Sequence, residues 1–176
     1  MKRFITLFLV LVSIVGYSQH KGLIVENYGL IYKMSQPDYK FETDKEYKII
    51  FDIFTDSEDH AEVNKSLNKV VNYVNLFKEQ GVPDENIKAV VILHGSATKN
   101  VLDDVAYKRF FKTENPNKKL INSLNEANVE LLVSRQSYDG NAFKKEDKLS
   151  PVKMAISAMA TLEWYQSAGY HIINFN

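Results

Sequence analysis

Val90-Val91-Ile92-Leu93-His94-Gly95-Ser96 is the stretch that decides the fold. Four apolar residues in a row suit a strand buried on both faces of a sheet. The run stops at His94-Gly95-Ser96, where an imidazole meets a flexible backbone. Ligands of open α/β sheets collect beyond the carboxyl ends of the strands. This strand end is therefore expected to form one wall of a site. Val129–Val133 is a second apolar run, and Ser134-Arg135-Gln136 at its end is expected to form the facing wall.

Working outward, Tyr47-Lys48-Ile49-Ile50-Phe51-Asp52-Ile53-Phe54 reads as the first core strand, with Asp52 near its carboxyl end. A helix is expected next. Val63, Leu67, Val70, Val71, Val74 and Phe77 recur at steps of three and four, and Gly81 and Pro83 end the pattern. Asn64, Asn68, Asn72 and Asn75 share a second stripe, which reads as a solvated or interface-facing side. A weaker helix is expected between Thr98 and Phe111, with Val101, Leu102, Val105 and Phe110 on one side. Asn115-Pro116 is read as an N-cap followed by proline at the first helical position, opening a helix with Leu120, Ile121 and Leu124 inward. Gln136 to Leu149 is expected as a charged loop. Ser150-Pro151 reads as a second cap-plus-proline start, with Val152, Ala155, Ile156, Met159 and Leu162 buried and Gly169 at the end. Tyr170 to Phe175 is expected as the last strand. Strands alternating with helices imply right-handed crossovers and a mainly parallel sheet with helices on both faces, an α/β fold.

Upstream of the core, residues 19–46 form a lead-in with little periodicity. Leu23-Ile24-Val25 and Gly29-Leu30-Ile31-Tyr32 are candidate short strands around a turn, and Pro37-Asp38 is a further turn. The lead-in is expected to wrap the domain or to serve an interface. Residues 1–18 have a basic start, an apolar run from Phe4 to Gly16, and small residues before a cut after Ser18. That is the layout of a secretory signal peptide, so the protein is expected to be exported, periplasmic or secreted, and free of the membrane after cleavage. The apolar run is shorter than the roughly 20 residues of a spanning helix. The chain of 176 residues, 45% of them hydrophobic and 25% charged, allows one domain with a sizeable core. With no cysteine in the sequence, neither a lipid anchor on a thiol nor a disulfide can form. Removing residues 1–18 leaves 20 basic against 22 acidic residues, which argues against nucleic acid as a partner.

Four stretches, in this order and spacing, resemble the DsrE/DsrF-like sulfur-relay family, specifically its exported branch. They are Tyr47-Lys48-Ile49-Ile50-Phe51-Asp52-Ile53, Val91-Ile92-Leu93-His94-Gly95, Leu131-Leu132-Val133-Ser134-Arg135-Gln136-Ser137, and Ser150-Pro151-Val152 through Ser157-Ala158-Met159 to Gly169-Tyr170. Asn27-Tyr28-Gly29 is similar to that branch as well, so the likeness runs from about residue 25 to the C-terminus. The resemblance implies a three-layer α/β/α domain over residues 47–176 that assembles into trimers or hexamers. It also implies a persulfide-bearing cysteine at the end of the third core strand, where this sequence has Ser134. A carrier of sulfane sulfur needs a thiolate, so relay chemistry on this chain is not expected.

The candidate ligand-binding residues are Asp52, His94, Gly95, Ser96, Ser134, Arg135 and Gln136. His94 reads either as a structural histidine bonded to a neighbouring loop or as a ligand contact and proton carrier. Asp52 either caps the next helix or faces the pocket. Arg135 and Gln136 read as binding an anion or a polar ligand, and Arg135 alternatively as a salt bridge at a subunit boundary. Ser134 would be a nucleophile if His94 served as its base, but no Gly-x-Ser-x-Gly elbow surrounds it and no acid is clearly placed to orient His94. His20, His60, His94 and His171 lack metal-ligand spacing, and no phosphate-binding glycine motif occurs, so neither metal nor cofactor is expected. The leading expectation is a non-catalytic or altered member that binds a small ligand or partner protein, with a link to sulfur or redox metabolism implied by the resemblance alone. A hydrolase or proton-transfer enzyme using His94 and Ser134 is the alternative, and a structural oligomer subunit is a third.

Overall fold

The structure, a computed structural model, describes residues 19–20, 28–32 and 37–175. The expected signal segment and the candidate strand Leu23–Val25 lie outside the described residues. No helix among those described is long and apolar enough to cross a membrane.

Five parallel strands make the central sheet. They are β3 (Tyr47–Ile53), β4 (Ile87–Leu93), β5 (Glu130–Ser134), β6 (Lys153–Ala155) and β7 (His171–Asn174). Their order across the sheet is β6-β5-β4-β3-β7, and each neighbouring pair is parallel. The apolar run of β4 is therefore central and buried on both faces. Side chains alternate between the faces. Ile49, Phe51, Ile53, Ala89, Val91, Leu93, Leu131 and Val133 join the larger core, under the helices α1 (Lys65–Glu79), α2 (Asp104–Phe111) and α3 (Lys118–Glu126). Ile50, Val90, Ile92 and Leu132 face the other way and pack with Ala158 and Tyr165 of α5 (Ala158–Ser167).

The asparagine stripe along α1 hydrogen-bonds to this chain's own backbone. Asn64 caps the helix, its Oδ1 accepting from the N–H groups of Ser66 and Leu67 at 2.9 and 3.0 Å. Its Nδ2 donates to Thr55 O and to Asp56 Oδ1. Farther along, Asn68 Oδ1 accepts from the Gly29 N–H, while Asn72 and Asn75 donate to the carbonyls of Leu30 and Gly29. These bonds fasten residues 28–32 of the lead-in to the helix, and β2 (Ile31–Tyr32) pairs antiparallel with β1 (Gln19–His20). Replacing Asn64 by alanine removes the cap and two donated bonds at once. The expected loss of stability is about 2 kcal/mol, the upper end for an N-cap, read from a urea unfolding curve.

Several expected boundaries move. The last helix starts at Ala158 with Ser157 as its cap, not at Ser150-Pro151, because Lys153–Ala155 are taken up as the edge strand β6. Ile156 and Met159 are consequently exposed, at 77% and 82%, not buried. Residues 95–101 form a 3₁₀ turn before α2, so Val101 and Leu102 are buried while Val105 is exposed. Helix α3 begins two residues after Pro116, since Asn115 Oδ1 is used to accept from the Asn117 N–H. Within the expected loop, Arg135–Gly140 forms a short helix, α4.

Candidate functional site

The register of the parallel strands sets the geometry of the rim. Ile53 pairs with Leu93, and Leu93 with Val133, so Phe54, His94 and Ser134 follow in one row beyond the ladder. Asp52 lies two residues after the inward Ile50, His94 two after Ile92, and Ser134 two after Leu132. By alternation all three occupy the α5 side of the sheet.

Asp52 and His94 meet directly. The imidazole Nε2–H donates to Asp52 Oδ1 at 2.6 Å, with side chains 21% and 18% exposed. This is the orienting acid that was not apparent in the sequence. The backbone holds the ring from below: the His94 N–H donates to Ile53 O at 3.0 Å. Phe54 leans on it from the side, ring centres 5.1 Å apart.

Gly95 makes the turn that follows. Its φ is +54°, and a Cβ there would fall 2.4 Å from the Phe54 ring. Ser96 turns back to the same residue, its hydroxyl donating to Phe54 O at 3.2 Å. Thr98 and Asn141 complete the turn, with Thr98 Oγ1 donating to Gly95 O at 2.8 Å and Asn141 Nδ2 donating to Thr98 Oγ1 at 3.0 Å.

Ser134 ends β5 and caps α4, its Oγ accepting from the Ser137 N–H at 3.4 Å. The residue is 2% exposed. His94, Ser134 and Gln136 line a cavity of about 390 Å³ together with Ser137, Ser157, Ala158, Met159 and Leu162. Thus His94 and Ser134 share a wall, while their hydrogen bonds run to different partners. Arg135 does not line the cavity. Its Nε donates to Asp139 Oδ2 on its own helix at 3.0 Å. Gly95 and Ser96 build the turn behind the histidine. No group of acids and histidines among the described residues is arranged to hold a metal ion.

The contribution of α5 is the part that the sequence reading missed. Ser157, Ala158 and Met159 reach the cavity only because the helix starts at Ala158 behind its cap Ser157, whose hydroxyl accepts from the Ala160 N–H. A serine followed by Ala-Met-Ala is a start signal. It was masked by the apolar residues 152, 155, 156 and 159, which continue a helical spacing across the edge strand.

A wider cleft of about 490 Å³ opens at the opposite end of the sheet, among Asp84, Glu85, Lys88, Asn128, Glu130 and Tyr170. Two of its acids are already engaged. Lys78 Nζ donates to Asp84 at 2.7 Å. Burial alone would raise the Glu130 carboxyl, but hydrogen bonds from Tyr165 and Lys153 and the lysine charge hold it below the usual range. This end ties α5 and β6 to the sheet, and the carboxyl-end cavity remains the candidate site.

Similarities to known proteins agree with this architecture. A solved protein of unknown function, MTH1491 from Methanobacterium thermoautotrophicum, superposes with a TM-score of 0.54 at 14% identity, covering 74% of this chain and 100% of that one. The ychN protein from E. coli superposes with a TM-score of 0.52 at 18% identity, covering 73% of this chain and 99% of its own. At these identities the likeness concerns the fold. No curated protein matches the sequence. The family model of the DsrE/DsrF-like family matches residues 48–175, a span that contains all five strands of the central sheet except Tyr47, and the chain belongs to that family.

Proposed function

We propose that this protein is an exported DsrE/DsrF-like member that binds a small ligand or a partner protein at the Asp52–His94–Ser134 rim and does not relay sulfur itself. The observation that carries the reading is Ser134. It stands at the end of β5, on the cavity wall, at the position where the resemblance puts the family's cysteine. A hydroxyl there donates and accepts hydrogen bonds but does not hold sulfane sulfur. The partly exposed imidazole beside it supplies a polar contact, and Met159 and Leu162 supply an apolar wall.

Use of Ser134 as a hydrolytic nucleophile is less well supported. Its Oγ serves the α4 cap and has no bond to His94. Assembly into a homo-oligomer is part of the proposal. Its support is that, among the described residues, α5 is the one helix packed on the second sheet face, with Ile156, Met159 and Trp164 exposed nearby. Exposed apolar groups beside a sheet face favour a contact with another chain.

Native mass spectrometry of protein purified from its source tests both parts. The expected spectrum shows a small integral multiple of the chain starting at Gln19, with a retained non-covalent mass that His94→Gln loses. A bare monomer at micromolar concentration, or retention untouched by the substitution, would contradict the proposal.

A further inference from the structure

We propose that Asp52 and His94 form a proton-transfer pair whose working atom is His94 Nδ1, facing a small uncharged ligand that carries a weakly acidic O–H or S–H group. The proposal rests on the binding site described above and adds a ligand class and a chemical step to it.

Three observations converge. First, the 2.6 Å bond to Asp52 Oδ1 occupies Nε2. A carboxylate in that position fixes the tautomer with hydrogen on Nε2 and leaves Nδ1 with a lone pair. Second, Nδ1 has no hydrogen-bond partner among the described residues, while the side chain keeps 21% of its surface. A ligand can therefore reach it. Third, the other cavity residues are Ser134, Gln136, Ser137, Ser157, Ala158, Met159 and Leu162, all uncharged. Arg135, the nearest basic residue in sequence, is engaged with Asp139 and stays outside. Among the described residues, Asp52 is thus the one charged group hydrogen-bonded to the imidazole. With no cation to attract an anion, the cavity favours a neutral ligand. Its apolar part lies against Met159 and Leu162, and its acidic hydrogen points at the imidazole.

The step balances within the site. The ligand's X–H bond breaks, its electron pair stays on X, and the proton moves to Nδ1. The imidazolium that forms is paired with the Asp52 carboxylate, which keeps its own charge and acts as a positioning residue. Ser134 contributes a hydroxyl at the cavity wall and forms no bond to the ligand's heavy atoms.

The test uses the full mature chain labelled with ¹⁵N-histidine, read by long-range proton–nitrogen correlation at mildly alkaline pH. His94→Gln identifies the signal. The expected spectrum places His94 in the Nε2–H tautomer. In Asp52→Ala that preference is lost, while His60 and His171 are unchanged and report that the fold persists. An Nδ1–H tautomer in the native chain, or one indifferent to Asp52→Ala, would overturn the pairing. Near neutral pH, titration with 4-cyanophenol, an aromatic weak acid that is mostly un-ionised there, should then shift the His94 Nδ1 signal toward its protonated position and leave the other histidines in place. A signal unmoved at millimolar probe would overturn proton acceptance. Ligand retention in native mass spectra reports on binding separately, so either idea can fail without the other.

Discussion

Gly95→Ala should lower the stability of the domain by about 2–5 kcal/mol and displace Phe54 from the imidazole. Two costs combine. A side chain at positive φ loses about 1–2 kcal/mol, and the Gly95 φ is +54°. Forcing a methyl into occupied space adds about 1–3 kcal/mol. Here the added Cβ would meet the Phe54 ring at 2.4 Å and the Phe54 carbonyl oxygen at 3.0 Å. The ring can swing outward, because Phe54 is 58% exposed, but the carbonyl is held by the Ala97 N–H and Ser96 hydroxyl. Urea unfolding measures the loss. A change within about 0.5 kcal/mol, as expected of an inert surface site, would mean that the turn does not fix the rim as described.

Lys99→Met should cost about 3 kcal/mol, the scale of breaking a buried ion pair from one side. Lys99 is 7% exposed. Its ammonium donates to Ser57 O and to His60 Nδ1, both at 2.8 Å, and lies 3.4 Å from Asp56 Oδ2. The side chain of Asp56 is 2% exposed. Asp56 also accepts from Asn64 and from the Ser57 N–H, which is why the lower end of the range applies. These bonds lock the β3–α1 loop onto the turn after β4. Adding Asp56→Asn to Lys99→Met should restore part of the loss, since it removes the charge left without its partner. Equal or additive losses in the two backgrounds would show that the ion pair is not the cause.

How far the sequence reached follows from how each signal arises. The core of the sheet was legible because Ile49–Phe51, Val90–Leu93 and Leu131–Val133 are apolar runs that a two-sided burial requires. Their alternation with helices fixed the parallel topology. Asp52, His94 and Ser134 were legible as strand-end residues, but not the bond between the first two. That bond depends on Asp52 and Ile92 being level across the β3–β4 ladder, and register is not printed in composition. The edge strand β6 was hidden because Lys153-Met154-Ala155 is three residues long and half-exposed, too short for any period to show. The partners of the asparagine stripe were not legible because the backbone groups of Gly29 and Leu30 lie about forty residues away in sequence. A helix surface that hydrogen-bonds to its own chain looks the same, in sequence, as one that hydrogen-bonds to water.

A fold shared with the DsrE/DsrF-like family presents, at its strand ends, a hydroxyl and a positioned imidazole, and the proposal is that this hydroxyl stands in place of a thiol. The direct measurement is intact mass after incubation with inorganic polysulfide, under conditions that keep persulfides. The native chain should return unchanged, while Ser134→Cys should gain whole sulfur atoms that a reductant removes. Reductant-sensitive sulfur bound covalently to the native, cysteine-free chain would contradict the account.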